Sequence, residues 1–221
     1  MKLLAFDTSS TTCSVALLLN DEIIEKNQTA LMQQAQLIFP MIDTLLKSKN
    51  LKINQLDGIA FGCGPGSFTG VRIATSVAQG LAYAAKLPLI PVSSLAALAQ
   101  AAYEDLRWEK LVVAVDARIQ EIYWGAYKVN SEGRVEAVGD EIVCPPNEIC
   151  TPFSEKGYGV CNAWEIYQDQ LSFKPLDIDA TRLPSARGIL RLAKDTFLHQ
   201  GGVAIEDALP RYLRDEVAKK R

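Results

Sequence analysis

The sequence is poor in the side chains that most enzymes use for acid–base or metal chemistry. It contains a single histidine, His199, among 221 residues. One imidazole excludes every metal site that needs two, and leaves one candidate for a Ser-His or Cys-His pair. His199 follows an amphipathic helical pattern over residues 189–197 and precedes Gly201, where an imidazole interacts favourably with a helix dipole. That structural role is favoured over catalysis.

Disulfides, zinc knuckles and membrane spans have no support in the sequence. The five cysteines are odd in number and include no C-x-x-C pair, which favours free thiols in a reducing compartment. No apolar run reaches the roughly eighteen residues of a membrane helix, and the first apolar run is interrupted at Asp7, too early for a signal peptide. We therefore expect a cytoplasmic protein with no membrane partner.

The chain also lacks the basic excess of a protein that binds nucleic acid by itself. Its 23 Lys and Arg are outnumbered by 26 Asp and Glu, a formal net charge of −3. Any contact with RNA is therefore expected beside a more basic partner. Near the end, Arg211, Arg214 and the terminal KKR are interpreted as a solvated basic tail.

A glycine-rich turn is the most informative segment that is present. In FGCGPGSFTGVRIA, residues 61–74, an apolar strand meets the start of a helix. Gly64 and Gly66 permit positive φ and close approach, and Ser67 can cap the helix. Because the first turn of a helix can bind an anion, these three residues form, with the strand-end Asp7, a candidate nucleotide site. A tight structural connection is the alternative.

The established nucleotide and nucleophile motifs do not match this turn. A Walker loop needs a lysine, and none occurs between residues 52 and 86. A dinucleotide fingerprint needs an acid about twenty residues on, but none occurs between 57 and 104. A nucleophile elbow needs glycine two residues before its serine, where Ser67 has Pro65. The turn belongs to none of these classes.

The pattern of strands starts twice. LLAFD at 3–7 and VVAVD at 112–116 share an alanine and a terminal aspartate, and each precedes a turn and a second strand. Chance recurrence is the alternative, but each domain of the actin, hexokinase and Hsp70 fold begins in a similar way. The resemblance predicts an α/β fold of two related halves, 1–108 and 109–221, the second smaller and more degenerate.

The second of these hairpins is a poor phosphate cradle. Its turn reads ARIQ at 117–120, where such loops usually carry glycines. Asp116 is therefore interpreted as a strand-end acid that pairs with Arg118.

Two helices offer faces that could pack against a partner or within the chain. Apolar residues from 31 to 45 recur at spacings of four and three, which puts them on one helix face, although Pro40 should kink or break the helix. After the glycine turn, small residues recur at every fourth position and would allow another helix to approach closely. The predicted interface residues are Leu31, Ala35, Ile38, Ile42, Gly70, Ala74 and Ala78.

Four segments together resemble the TsaB (YeaZ) family. They are AFDTSSTTCSVAL at 5–17, GPGSFTGVRIA at 64–74, VDARIQEIYWGAY at 115–127 and LPRYLR at 209–214. The resemblance implies an actin-like (ASKHA) fold with mixed sheets flanked by helices. It also implies a non-catalytic role in making threonylcarbamoyladenosine beside the anticodon of tRNAs that read codons starting with A.

The same resemblance implies a set of partners. In the family, the catalytic paralogue TsaD binds TsaB and performs the transfer, the ATPase TsaE joins them, and threonylcarbamoyl-AMP is the donor. The chain is expected to need no cofactor of its own, with ATP or ADP bound in the complex. Contact with tRNA would be indirect, and the chain could form a homodimer when alone.

The metal-binding histidines of TsaD have no counterpart in this chain. In TsaD an N-H-x-x-x-H segment follows the glycine motif, and the matching stretch here places Ser94 and Leu98 at the two histidine positions. The resemblance therefore implies no metal and no catalytic residue. One departure is MQQAQ at 32–36, where relatives often carry a basic residue and a histidine.

Two enzymatic interpretations stay open at this point. The first is a stand-alone ATP-dependent phosphotransferase or ATPase that uses Asp7 and the turn at 64–67. The second is a metallopeptidase, which the single histidine disfavours.

Overall fold

The computed structural model describes residues 1–154 and 156–214, which form two mixed β-sheets flanked by helices. The strands of the first sheet are β1 (Lys2–Asp7), β2 (Thr12–Leu19), β3 (Glu22–Thr29), β4 (Gly58–Gly64) and β5 (Leu89–Ser93). Their order is β3-β2-β1-β4-β5, with β1 antiparallel to β2 and parallel to β4.

The second sheet repeats this arrangement around its own first strand. Its strands are β6 (Lys110–Arg118), β7 (Glu121–Val129), β8 (Val135–Ala137), β9 (Ile142–Cys144), β10 (Tyr158–Val160) and β11 (Ile178–Asp179). The order is β11-β10-β6-β7-β8, and β9 also pairs with β7. Because β6 is antiparallel to β7 and parallel to β10, the predicted second start of the pattern is confirmed.

Five α-helices connect and cover the sheets in the part of the chain described. They are α1 (Gln34–Ser48), α2 (Phe68–Ala85), α3 (Ser94–Leu106), α4 (Ala163–Ile166) and α5 (Ala186–Gln200). Ser67 caps the N-terminus of α2, as predicted, and Ser93 and Ser185 cap those of α3 and α5, each by accepting hydrogen bonds from backbone N–H groups. Within the described ranges, every helix is too short or too polar to span a bilayer.

The central residues of strand β1, Leu3 to Phe6, are all apolar because both faces of the strand are covered. Leu4 and Phe6 belong to one buried cluster with residues of α1 and α2, whereas Leu3 and Ala5 belong to another with residues of α5. Successive side chains of a strand point to opposite faces, so both sets must be apolar. Asp7, at the end of this strand, is therefore buried as well.

Helix α5 lies late in the sequence but packs on the first sheet. Its buried residues Ala186, Ile189, Leu190 and Ala193 share a cluster with Leu3 and other residues of the first sheet. The contacts of α5 thus cross the boundary at residue 108. The division into halves at 1–108 and 109–221 stays a prediction about domains, and α5 packs outside the half that contains its sequence.

Helix α1 begins later than the apolar pattern suggests and continues through Pro40. It starts at Gln34, so Leu31 precedes it, and Pro40 is in its interior without breaking it. The carbonyl of Gln36, which would bond to the missing N–H of Pro40, is on an exposed residue and can bond to water. The expected break is therefore wrong.

Candidate functional site

The carboxyl group of Asp7 is fully engaged within the chain. Its Oδ1 accepts hydrogen bonds from the backbone N–H and the hydroxyl of Ser9, both at 2.7 Å, and its Oδ2 accepts one from Ser94 Oγ at 3.3 Å. The side chain is completely buried. Burial raises the pKa of Asp7, and the bonds from Ser9 and Ser94 oppose that rise.

The glycine-rich turn packs against the chain segment that follows Asp7. A Cβ at Gly66 would lie 2.7 Å from the Cβ of Ser9, and a Cβ at Gly70 would lie 1.9 Å from the carbonyl oxygen of Thr8. The backbone N–H of Ser67 donates to the carbonyl of Ser9 at 2.8 Å. The glycines therefore leave room for the Thr8–Ser9 backbone, and the geometry fits a tight structural connection between strand and helix.

The C-terminal segment, residues 208–214, lies across the other side of the same turn. The N–H of Arg211 donates to the carbonyl of Cys63 at 2.8 Å. Gly64 has φ of +101°, and a Cβ there would lie 3.0 Å from the carbonyl oxygen of Arg211. The pocket left between the turn and this segment is about 70 Å³, well below the few hundred Å³ of usual ligand sites.

The exposed Arg211 forms an ion pair with a buried carboxylate. Its Nη1 lies 3.0 Å from Oε2 of Glu141, and Glu141 Oε1 accepts hydrogen bonds of 2.5 Å from Tyr127 and Ser93. Burial of the Tyr127 hydroxyl beside Glu141 raises its pKa well above the usual range.

Arg214 is also bound within the chain. It pairs with Glu121 and donates to the carbonyl of Ala117 at 3.2 Å. The expected solvated basic tail is therefore wrong for Arg214, which is partly buried, whereas Arg211 is exposed to solvent and also ion-paired. The terminal KKR lies outside the described residues.

In the hairpin between β6 and β7, Asp116 pairs with Arg118 as predicted. Asp116 pairs with Arg118 at 3.3 Å and accepts hydrogen bonds from the N–H of Arg118 and from Tyr167. Asp116 is thus a strand-end acid whose oxygens bond to the chain itself.

Most of the predicted interface residues are inside the molecule. Five of them are buried residues of α1 and α2: Ile38, Ile42, Gly70, Ala74 and Ala78. They cannot touch a partner in this conformation, because α1 and α2 pack these faces on the first sheet. The interface prediction is corrected for these five, and intramolecular packing accounts for them. Leu31 and Ala35 are exposed.

An apolar groove lies between α1 and α2 on the side away from the sheet. It measures about 350 Å³ and is lined by Ala35, Phe39, Phe68, Thr69, Arg72, Ile73, Ser76 and Val77. We call it the α1/α2 groove. Large apolar side chains at or near it are exposed: Leu31 (69%), Met32 (98%), Phe39 (53%) and Phe68 (53%). Clustered exposed apolar groups mark sites of protein–protein contact.

Sequence reasoning did not single out Phe39 and Phe68. Phe39 is next to the buried Ile38, outside the four-and-three spacing, and Phe68 follows the cap Ser67. A second, outward apolar stripe on α1 was the available signal.

Known proteins match the chain over almost its whole length. A family model described as TsaD, tRNA N6-adenosine threonylcarbamoyltransferase, matches residues 25–220. The tRNA threonylcarbamoyladenosine biosynthesis protein TsaB of Haemophilus influenzae is 39% identical, covering 100% of this chain and 97% of the relative. TsaB of Escherichia coli is 34% identical, covering 100% of this chain and 98% of the relative. The chain belongs to the TsaB (YeaZ) family.

Solved structures agree with this membership. YeaZ from Pseudomonas aeruginosa is 41% identical with a TM-score of 0.91, covering 96% of this chain and 99% of that one. A second solved structure, described as a Pseudomonas aeruginosa protein with similarity to peptidase YeaZ, is 40% identical with a TM-score of 0.93 and the same coverage. The two mixed sheets and their flanking helices thus form the expected actin-like (ASKHA) fold.

Ser94 and Leu98 occupy the two positions of this chain that match the metal-binding histidines of TsaD, and both have other roles here. Ser94 donates to Asp7, and Leu98 is buried with Leu95 and Leu111 between α3 and the second sheet. Across residues 1–154 and 156–214, no group of three or more His, Cys, Asp or Glu is placed to hold a metal ion.

Proposed function

We propose that this chain is a non-catalytic subunit required for threonylcarbamoylation of the adenosine next to the anticodon in tRNAs that read codons starting with A. The names of its TsaB relatives support this pathway. The packing of Asp7 and the glycine turn favours an accessory role, because the chain itself fills the place where a nucleotide phosphate would bind. The catalytic paralogue TsaD would then perform the transfer.

The α1/α2 groove is the proposed binding surface for TsaD. The observation that carries this proposal is the exposure of Phe39 and Phe68, which line the groove, together with that of Leu31 and Met32 in the segment just before α1. Two adjacent helices with an apolar groove suit a helix of a partner. The groove could instead join two copies of the chain when TsaD is absent.

The remaining partners are part of the same proposal. TsaE would join the pair, ATP or ADP would bind in the complex rather than to this chain alone, and tRNA would be contacted indirectly. The five free cysteines suit a cytoplasmic location.

Reconstitution tests the function directly. Mixtures of TsaD, TsaE, tRNA, ATP and threonylcarbamoyl-AMP should modify tRNA only when this chain is present. Full modification in its absence would contradict the proposal. Calorimetry should detect no micromolar binding of Mg-ATP to the isolated chain, and binding that disappears in Asp7→Ala would favour a stand-alone ATPase instead.

A pair of matched variants tests the surface. Phe39→Glu places a charge in the groove on an exposed side chain, so the chain should stay folded while TsaD binding weakens at least about tenfold. Leu198→Glu is the control, because Leu198 is 62% exposed on α5, on the opposite side of the first sheet. Pull-down and calorimetry with TsaD measure both variants. Equal binding by both would place the interface elsewhere.

A further inference from the structure

Arg72 is a partly buried cation in the α1/α2 groove for which the described residues provide no hydrogen-bond or ion-pair partner. Its guanidinium carbon lies 3.2 Å from the ring centre of Phe68 and 4.9 Å from that of Tyr212. Its Nη1 is buried and makes no hydrogen bond to any described residue. Stacking on two rings stabilises the charge, but it leaves this N–H group unsatisfied, which is costly in a buried position.

Three arginines of the second half, by contrast, are paired with carboxylates. Arg134, Arg182 and Arg211 form salt bridges with Asp195, Asp105 and Glu141. Among the described residues that line the groove, Arg72 is the one charged side chain, and no carboxylate lies beside it. An apolar surface that holds one unpaired guanidinium has a defined complement: an apolar surface that carries one anion.

We propose that Arg72 receives an aspartate or glutamate carboxylate of the partner protein, on a helix whose apolar face docks in the α1/α2 groove. This inference rests on the proposed function of the groove. The planar guanidinium favours a carboxylate that it can contact through two N–H groups. Since the groove is otherwise uncharged, this pair sets the position of the partner helix along the groove.

Charge complementarity makes a partner helix with one acid a better match for the groove than two other occupants, so a homodimer through the groove would form only when the partner protein is absent. A second copy of this chain would bring another Arg72 and no lining carboxylate, so its groove would repeat the unpaired cation. RNA phosphates need several cations in a solvated groove, whereas this surface is apolar and the chain carries a net charge of −3. A protein helix with one acid is the complement that satisfies Arg72.

Calorimetric binding to TsaD tests the inference with full-length variants. Arg72→Met should raise the Kd for TsaD about thirtyfold or more, as expected for loss of one member of a desolvated charge pair. Arg72→Lys keeps the positive charge but lacks the planar guanidinium, so its Kd for TsaD should lie between those of wild type and Arg72→Met. Arg72→Glu should have the highest Kd for TsaD. A charge-reversal scan of the acidic helix residues of TsaD should then find one acid whose change to Arg restores the binding of Arg72→Glu.

The experiment distinguishes three outcomes: a variant that does not fold, a chain that does not bind TsaD at all, and an Arg72 that receives no carboxylate. Melting temperatures and circular dichroism identify any variant that fails to fold, and Phe68→Leu removes a stacking ring while keeping the guanidinium. If wild-type chain does not bind TsaD, the proposed function fails. If Phe39→Glu abolishes binding but Arg72→Met and Arg72→Lys bind like wild type, Arg72 receives no carboxylate. Loss of tRNA modification with unchanged TsaD binding would indicate a phosphate instead and would also overturn the inference.

Discussion

Replacing Gly70 by alanine tests whether the glycine turn is filled by the chain or open to a ligand. In an exposed helix this change normally stabilises by about 1 kcal/mol, because alanine has the higher helix propensity. At Gly70 the added Cβ would lie 1.9 Å from the carbonyl oxygen of Thr8, although real Cβ atoms essentially never come closer than 3.0 Å. The obstacle is backbone, so it cannot rotate away.

The magnitude follows from this contact and from one hydrogen bond. The Thr8 backbone must move by roughly 1 Å in a close-packed interior, and Thr8 Oγ1, which donates to the Gly70 carbonyl at 2.6 Å, moves with it. Overpacking typically costs about 1–3 kcal/mol, and a distorted hydrogen bond adds about 1 kcal/mol. We expect Gly70→Ala to lower the free energy of unfolding by about 3 kcal/mol.

Gly80 on the same helix is the matched control. It is exposed, and a Cβ there would meet nothing within 4 Å, so Gly80→Ala should stabilise by up to about 1 kcal/mol. Urea unfolding followed by circular dichroism measures both variants against wild type. A Gly70→Ala protein as stable as wild type would refute the packed turn and would restore the phosphate-cradle hypothesis.

Two further predictions concern ionisation and exposure. Burial raises the folded-state pKa of Asp7, so its contribution to stability is fully present below the unfolded-state pKa of about 4 and is lost as pH rises towards the raised folded-state pKa. Relative to wild type, Asp7→Asn should therefore gain unfolding free energy as the pH rises above about 4. A gain that does not change with pH would contradict this assignment. A thiol reagent at pH 8 should label Cys150 rapidly in native protein and all five cysteines in denaturant, because burial raises the pKa of the others: Cys13 and Cys63 to about 12, Cys144 and Cys161 to about 11. Fast labelling of a second native thiol would show that one of these four is accessible.

Local features of the fold were predictable because they depend on residues close in sequence. Ser67 caps α2 by accepting a bond from an N–H three residues later, and Ser185 does the same for α5. Gly201 ends α5 with a positive φ. The pairing of Asp116 with Arg118 spans two residues. Each of these can be judged from a short window of sequence.

The errors involve contacts between distant parts of the chain. Arg211 looked like part of a solvated tail, but its partner Glu141 lies 70 residues earlier, and no periodicity connects them. Ala74 and Phe39 both lie on helices with apolar spacing, yet Ala74 is in the core and Phe39 is exposed. The difference depends on which helix face the first sheet covers.

The sequence alone determined the family, the second start of the strand pattern and the N-terminal cap of α2, because apolar periodicity, caps and motifs are encoded over a few residues. Only the tertiary structure decided what the glycine turn holds and which helix surface stays open. Both depend on long-range packing: Thr8 and Ser9 fill the turn from one side and Arg211 covers it from the other. The same packing leaves Phe39, Phe68 and Arg72 on the outside of α1 and α2.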